Sequence, residues 1–136
     1  MNFNDISVGL VKKFQVHINE DLVNQFAELS GDFNPLHMNA HYSEKTKYGK
    51  RVVHGMLLAS FLSRLVGMHL PGSQALYLQQ SLKFKKPSFI DDFVTVIGEV
   101  VSVSEQLKII TLQTLIINQE EKILLEGESK VLFRED

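Results

Sequence analysis

The chain has 136 residues, 44% hydrophobic and 22% charged, with a formal net charge of −2; these are the proportions of a globular protein large enough for its own core, read here as one domain over 1–136. The absence of cysteine excludes a disulfide framework, a thiolate metal site and a thiol nucleophile. The slight negative charge argues against a nucleic-acid surface, no apolar run reaches the ~18 residues that would span a membrane, and the start lacks the pattern of a secretory signal, so a cytoplasmic protein is expected.

Residues 8–18 contain an alternating run that places Phe14, Val16 and Ile18 on one face, the pattern of a strand. Residues 19–21 offer capping side chains for a helix whose apolar stripe would be Leu22, Phe26 and Leu29, with Gly31 closing it. A loop follows over 29–37, then a short polar helix over 41–48 and an exposed basic turn, Gly49-Lys50-Arg51. From 56 to 70 apolar side chains occupy nearly every face, which predicts one long buried helix of about 22 Å, ended by Pro71-Gly72. The runs 77–84, 93–103, 107–118 and 122–133 are β-rich, and the short polar breaks between the last three suit hairpins. The last run alternates cleanly: Glu126, Glu128 and Lys130 point one way, Ile123, Leu125, Val131 and Phe133 the other.

One buried helix with about five antiparallel strands makes an α+β domain in which a curved sheet wraps the helix. Such a sheet leaves an edge uncovered, and pairing of two copies along it would cover that edge.

Chemistry concentrates in the loop, Leu-Ser-Gly-Asp-Phe-Asn-Pro-Leu-His, where Asp32, Asn34 and His37 lie within six residues. Gly31 and Pro35 mark it as irregular backbone. Asp, Asn and Pro are ordinary turn residues whose side chains bond their own backbone. The same set also supplies an imidazole that titrates near neutrality, with a carboxylate to orient it or share a water with it. Both readings stand on residue types alone. His41, four residues after His37, suggests a metal pair, but no third ligand follows, and no metal site is expected. His54, at the start of the buried helix, reads as structural.

The run 26–40, Phe-Ala-Glu-Leu-Ser-Gly-Asp-Phe-Asn-Pro-Leu-His-Met-Asn-Ala, resembles the hydratase motif of the MaoC-like, R-specific enoyl-CoA hydratases. Its order is aromatic, aliphatic, small residue, Gly, Asp, any residue, Asn-Pro-aliphatic-His, and each position is met. Residues 53–60, Val-His-Gly-Met-Leu-Leu-Ala-Ser, resemble the start of that family's central helix, and 77–87 with Asp91-Asp92 its next strand. Asn39-Ala40 and Lys45-Thr46 depart from the pattern, where relatives often carry Asp-Pro and small apolar residues.

The resemblance implies a hotdog fold and reversible hydration of trans-2-enoyl-CoA, in fatty-acid degradation or polyhydroxyalkanoate supply, by a homodimer without a cofactor. It implies that Asp32 and His37 hold the attacking water and that the backbone N–H of Gly55 meets the thioester oxyanion. Asn34 would orient the loop, and Ser63 would lie near the thioester or bond back to its own helix. Lys50, Arg51, Lys83, Lys85 and Lys86 are candidates for the CoA phosphates, or else a solvated charged face. A hotdog thioesterase or dehydratase is the rival reading, although a thioesterase usually carries an acid on the buried helix and 56–70 has none. A non-catalytic acyl-CoA-binding module is the other, and it would not need Asp32 and His37 together.

Overall fold

Six strands form a single antiparallel sheet in the order β1-β4-β5-β6-β2, with β3 also paired to β6. They are β1 (Val11–His17), β2 (Ala75–Gln80), β3 (Lys83–Phe84), β4 (Phe93–Ser104), β5 (Ile109–Ile117) and β6 (Ile123–Phe133). The computed structural model describes all 136 residues. The hairpins β4–β5 and β5–β6 join the longest strands, and β1 and β2 are the two edges.

The alternation in these strands sets one face against a helix. Val94 and Val96 of β4, Ile116 of β5 and Leu125 of β6 are buried with Leu57, Leu58, Leu62 and Leu65 of α4 (Gly55–Arg64) and its continuation. Burial on this scale, at ~25 cal/mol per Å² of apolar surface, is the main force holding sheet to helix. Gly98 of β4 lies under the helix, where a Cβ would come within 2.8 Å of Leu65 Cδ2. A second cluster joins Val66 and Leu70 to Val100, Ile110, Leu112, Val131 and Phe133.

The expected long helix is present but is neither uniform nor covered all round. Its α-helical part ends at Arg64 and it continues as one π-helical turn over Leu65–His69. Met56, Ser60, Ser63, Gly67 and Met68 are exposed. Their spacing puts four of them, at 56, 60, 63 and 67, on one open stripe. The sheet covers only the opposite side, which composition could not reveal.

Other elements differ from expectation in detail. In α1 (Glu20–Ser30) Asn19 caps the Leu22 N–H at 2.9 Å and Gly31 ends the helix with a φ of 81°, as its position predicts. The buried face, however, is Val23 and Ala27 with Leu22 and Phe26 beside them, while Leu29 is 86% exposed. The run 77–84 is two strands, because the chain breaks at Ser81 to cross Gly127 of β6. A Cβ on Gly127 would stand 1.9 Å from the Ser81 carbonyl oxygen. Ser81 is fixed there by its N–H to the Glu128 carbonyl and by its hydroxyl accepting the Glu128 N–H, each 2.9 Å.

Gly127→Ala is therefore expected to lower stability by about 3 kcal/mol, the upper end for overpacking, since backbone rather than a side chain must give way. Urea unfolding of the variant beside the wild type measures it; an unchanged midpoint would contradict the close crossing.

Candidate active site

The loop after α1 is shorter than the sequence indicates. Pro35 does not merely stop a helix; it occupies the first position of one, α2 (Pro35–Met38), where its missing N–H costs nothing. Asn34 is the cap, its Oδ1 accepting the Leu36 N–H at 3.0 Å, and Asp32 Oδ1 accepts the Asn34 N–H at 3.1 Å. Asn34 thus bonds the loop's own backbone, and His37 is presented from a helical turn instead of a free coil. A further turn, α3 (Ala40–Glu44), follows, capped by Asn39.

The segment between α3 and α4 crosses directly behind this loop. The Val52 N–H donates to the Leu36 carbonyl at 3.1 Å and the Val53 N–H to Ser88 at 2.8 Å. His37 Nδ1 donates to the Val52 carbonyl at 2.6 Å. That bond fixes the tautomer and leaves Nε2 as the imidazole's free acceptor. Arg51 is turned inward, its side chain 11% exposed, and its Nε–H donates to the His37 carbonyl at 2.6 Å. Its other nitrogens reach Glu20 at 3.0 Å and Asn24 at 3.1 Å. The exposed basic turn expected at 49–51 is therefore not how Arg51 sits: it ties α1 to α2, its donors taken up within the chain.

His54 completes the cluster, and its place in the site was not foreseen from the sequence. It is 1% exposed and its Nε2–H donates to the Asp32 backbone carbonyl at 2.9 Å. Its ring lies 4.2 Å from that of His37 and 5.0 Å from Phe26. Burial, more than any neighbour, pushes its pKa below the ordinary 6.5, and His37 and Arg51 add to the effect. The only signal in the sequence was its position one residue before Gly55.

Asp32, His37 and His54 each bring a side-chain ligand atom within 4.8 Å of the others. Two imidazoles and a carboxylate are also a donor set that holds cations, but an Asp–His pair at this separation needs none to bind water. Beside them α4 begins at Gly55. The N–H groups of Gly55 and Met56 have no acceptor within the chain, so the partial positive charge of the helix end is unanswered. The Phe84 ring stands 2.7 Å from where a Cβ on residue 55 would be, so that ring can approach only a glycine.

A cleft of about 490 Å³ opens beside His37 and the start of α4, lined by His37, Gly55, Met56, Phe84, Lys85 and Lys86 among others, with Asp32 and His54 outside its lining. Lys50 lies outside it, over the Phe89 ring at 4.5 Å, and Lys83 lines a separate shallow groove with Glu126 and Glu128. Ser63 is in another cleft of about 400 Å³, with Phe26, Tyr77 and Gln80, where Met56 forms the wall between the two. Behind that second cleft Gln80 Oε1 accepts from Tyr77 and Ser129 while its Nε2 donates to Thr114 at 3.2 Å. Burial pushes the Tyr77 hydroxyl pKa up. Asp92 is a structural knot instead, accepting from Ser88 and Phe89 at 2.9 Å and from Gln119 at 3.0 Å.

Residues 6–121 match the model of the MaoC like domain. The chain is 40% identical to an (R)-specific enoyl-CoA hydratase of Aeromonas caviae, over 96% of this chain and 98% of the relative. It is 39% identical to an (R)-specific enoyl-CoA hydratase of Rhodospirillum rubrum, over 96% and 90%. Among solved structures, the (R)-hydratase from A. caviae involved in PHA biosynthesis superposes with a TM-score of 0.92 at 41% identity, covering 94% of this chain and 97% of that one.

The buried His54 has a consequence for stability. Its folded-state pKa lies below 6.5, so the unfolded chain binds the extra proton first as pH falls. The stability at stake is complete above about pH 6.5 and is lost as pH drops through the folded value. The Tm of wild type relative to His54→Gln is expected to decline between about pH 7 and pH 5. A difference in Tm that stays constant across that range would refute it.

Proposed function

The chain belongs to the MaoC-like family, and from that premise we propose that it adds water reversibly to the double bond of trans-2-enoyl-CoA thioesters, giving R-3-hydroxyacyl-CoA. The observation that carries this reading is the meeting of Asp32 and His37, within 4.8 Å, beside the uncapped N-terminus of α4. One water with hydrogen bonds of ~2.8 Å to both side chains spans that distance. Held so, it attacks C3 while a proton reaches C2, and conjugation carries the negative charge to the thioester oxygen. The Gly55 N–H meets that oxygen with a donor already in place and a helix end behind it. Asn34 keeps the loop in shape, and Ser63 contributes from the adjoining cleft.

Met56 to Leu70 carries no acid for a thioesterase to use, which favours hydration over hydrolysis. The CoA phosphates lie at the cleft rim, met by Lys85 and Lys86, with Lys50 and Lys83 further out; Arg51 keeps the loop in place. The whole of 1–136 acts as one hydratase domain in the cytoplasm, in fatty-acid metabolism or polyhydroxyalkanoate supply, with neither cofactor nor metal.

Loss of enoyl-thioester absorbance with crotonyl-CoA tests the reaction. Asp32→Asn and His37→Ala are each expected to lower kcat by at least about 10²-fold with folding intact, in the range of positioned acid–base groups. No turnover by wild type on crotonyl-CoA, longer enoyl-CoAs or the acyl-carrier-protein thioesters would reject the proposal, and hydrolysis of acyl-CoA in its place would establish a thioesterase.

The same reading makes the protein a homodimer. Edge strand β2 exposes Leu76 and Leu78 at about half their area. An exposed apolar edge of this kind is a pairing surface. Light scattering on a sizing column should give twice the chain mass for wild type and a shift to the chain mass for Leu76→Lys/Leu78→Lys. A wild-type monomer at micromolar concentration would refute it.

A further inference from the structure

We propose that His54 is a positioning residue of the hydration reaction: its Nε2–H joins the Asp32 backbone to the residue preceding the Gly55 donor, and its ring holds the His37 imidazole in place. The inference rests on the hydratase reading and goes beyond it. The carboxylate loop and the oxyanion donor lie more than twenty positions apart in the chain, on different elements. Their separation must nonetheless be fixed to a fraction of an ångström if water and oxyanion are to be met at once. The 2.9 Å bond from His54 to the Asp32 carbonyl is the direct side-chain link between them.

Packing alone does not account for a histidine here. A phenylalanine would fill the same volume against Phe26 and His37. Helix capping does not account for it either, because His54 is the N-cap of α4 yet its side chain caps none of the helix's N–H groups. The residue instead carries a defect. Its Nδ1 is buried without a hydrogen-bond partner, a state that costs about 1–3 kcal/mol. The one ring nitrogen that is paired is the one that reaches the Asp32 loop, and that is the donor a phenylalanine would lack.

The groups facing the imidazole define its working state. The His37 ring and the Arg51 guanidinium oppose a positive charge on it, while the bond to the Asp32 backbone carbonyl and the Asp32 carboxylate favour one. Burial opposes the charge most, and because Nε2 carries a hydrogen in this neutral tautomer and in the imidazolium alike, the link to Asp32 holds in both forms. Protonation at lower pH would place a second cation against His37, in a pocket with no acceptor for the new N–H.

Two variants separate the donor from the ring. His54→Phe keeps the ring and loses the donor; His54→Gln places an amide N–H near the Nε2 position and loses the ring. With crotonyl-CoA, Phe is expected to lower kcat by about 10²-fold with KM nearly unchanged, the cost of a misplacement near 1 Å. Gln should recover most of that loss. Equal kcat for Phe and wild type, or Gln no better than Phe, would overturn the proposal, as would a drop in Tm with kcat of the folded enzyme intact. Because His54→Phe strands the Asp32 carbonyl, ¹⁵N-histidine NMR of the wild type supplies a reading independent of that variant's folding. In its neutral form His54 should show a protonated Nε2 and a bare Nδ1; the opposite tautomer would overturn it. Wild-type turnover is the control: its absence would remove the hydratase reading, whereas turnover indifferent to His54 removes only this one.

Discussion

The site depends on four residues, 51–54, passing behind the 31–37 loop and bonding to it at nearly every step. Arg51 takes the His37 carbonyl, Val52 takes the Leu36 carbonyl and gives its own to His37 Nδ1, and His54 takes the carbonyl of Asp32. Each is a bond between segments distant in sequence, so each opposes the entropy of a mobile loop. Loops of this sort, rich in Gly, Asn and Pro, bend freely when isolated. Here the acid and the imidazole gain a fixed relation because a strap anchored to α1 and to the 86–89 segment immobilises the backbone that carries them.

That strap also explains an electrostatic economy. The first N–H groups of α4 are unpaired, and the side chain best placed to cap them turns away to the neighbouring loop. An uncapped helix end in a partly buried cleft is a local cost to folding. It is at the same time an electrophilic point with its donors already aligned, which is what a developing thioester oxyanion requires. Stability is forgone where charge has to be received, and regained in the sheet–helix core a few residues further along the same helix.

Much of this was legible beforehand, for identifiable reasons. The hairpins β4–β5–β6 follow from period-two alternation and short polar breaks. The α1 ends follow from Asn19 and Gly31, and the nearness of Asp32 to His37 from their spacing, though not the helical turn that carries His37. What escaped detection depended on partners remote in the chain. Leu29 belongs to the apolar pattern of α1 yet points to solvent, because Val23 and Ala27 take the core side. Nothing in the sequence says that the Ser81 carbonyl needs Gly127, so 77–84 reads as one strand. Arg51 looks like a surface charge until Glu20, Asn24 and the His37 carbonyl are seen around it, and His54 looks structural until the carbonyl it binds proves to be that of Asp32. Short-range periodicity is written in neighbours. Hydrogen bonds across 14 or 22 positions are not.

The change from α to π geometry after Arg64 divides the central helix between two separate cores. The α-helical part carries Gly55 at one end and packs with the strap, while the wider turn sends Val66 and Leu70 into the far cluster. A wider turn rotates each residue through a smaller angle than the ~100° of an α-helix, so side chains beyond it are re-aimed without disturbing those before it. In evolutionary terms the fold is thereby modular along its own axis. Repacking of the distal cluster can adjust stability or the room beneath the sheet without moving the end of the helix that carries Gly55.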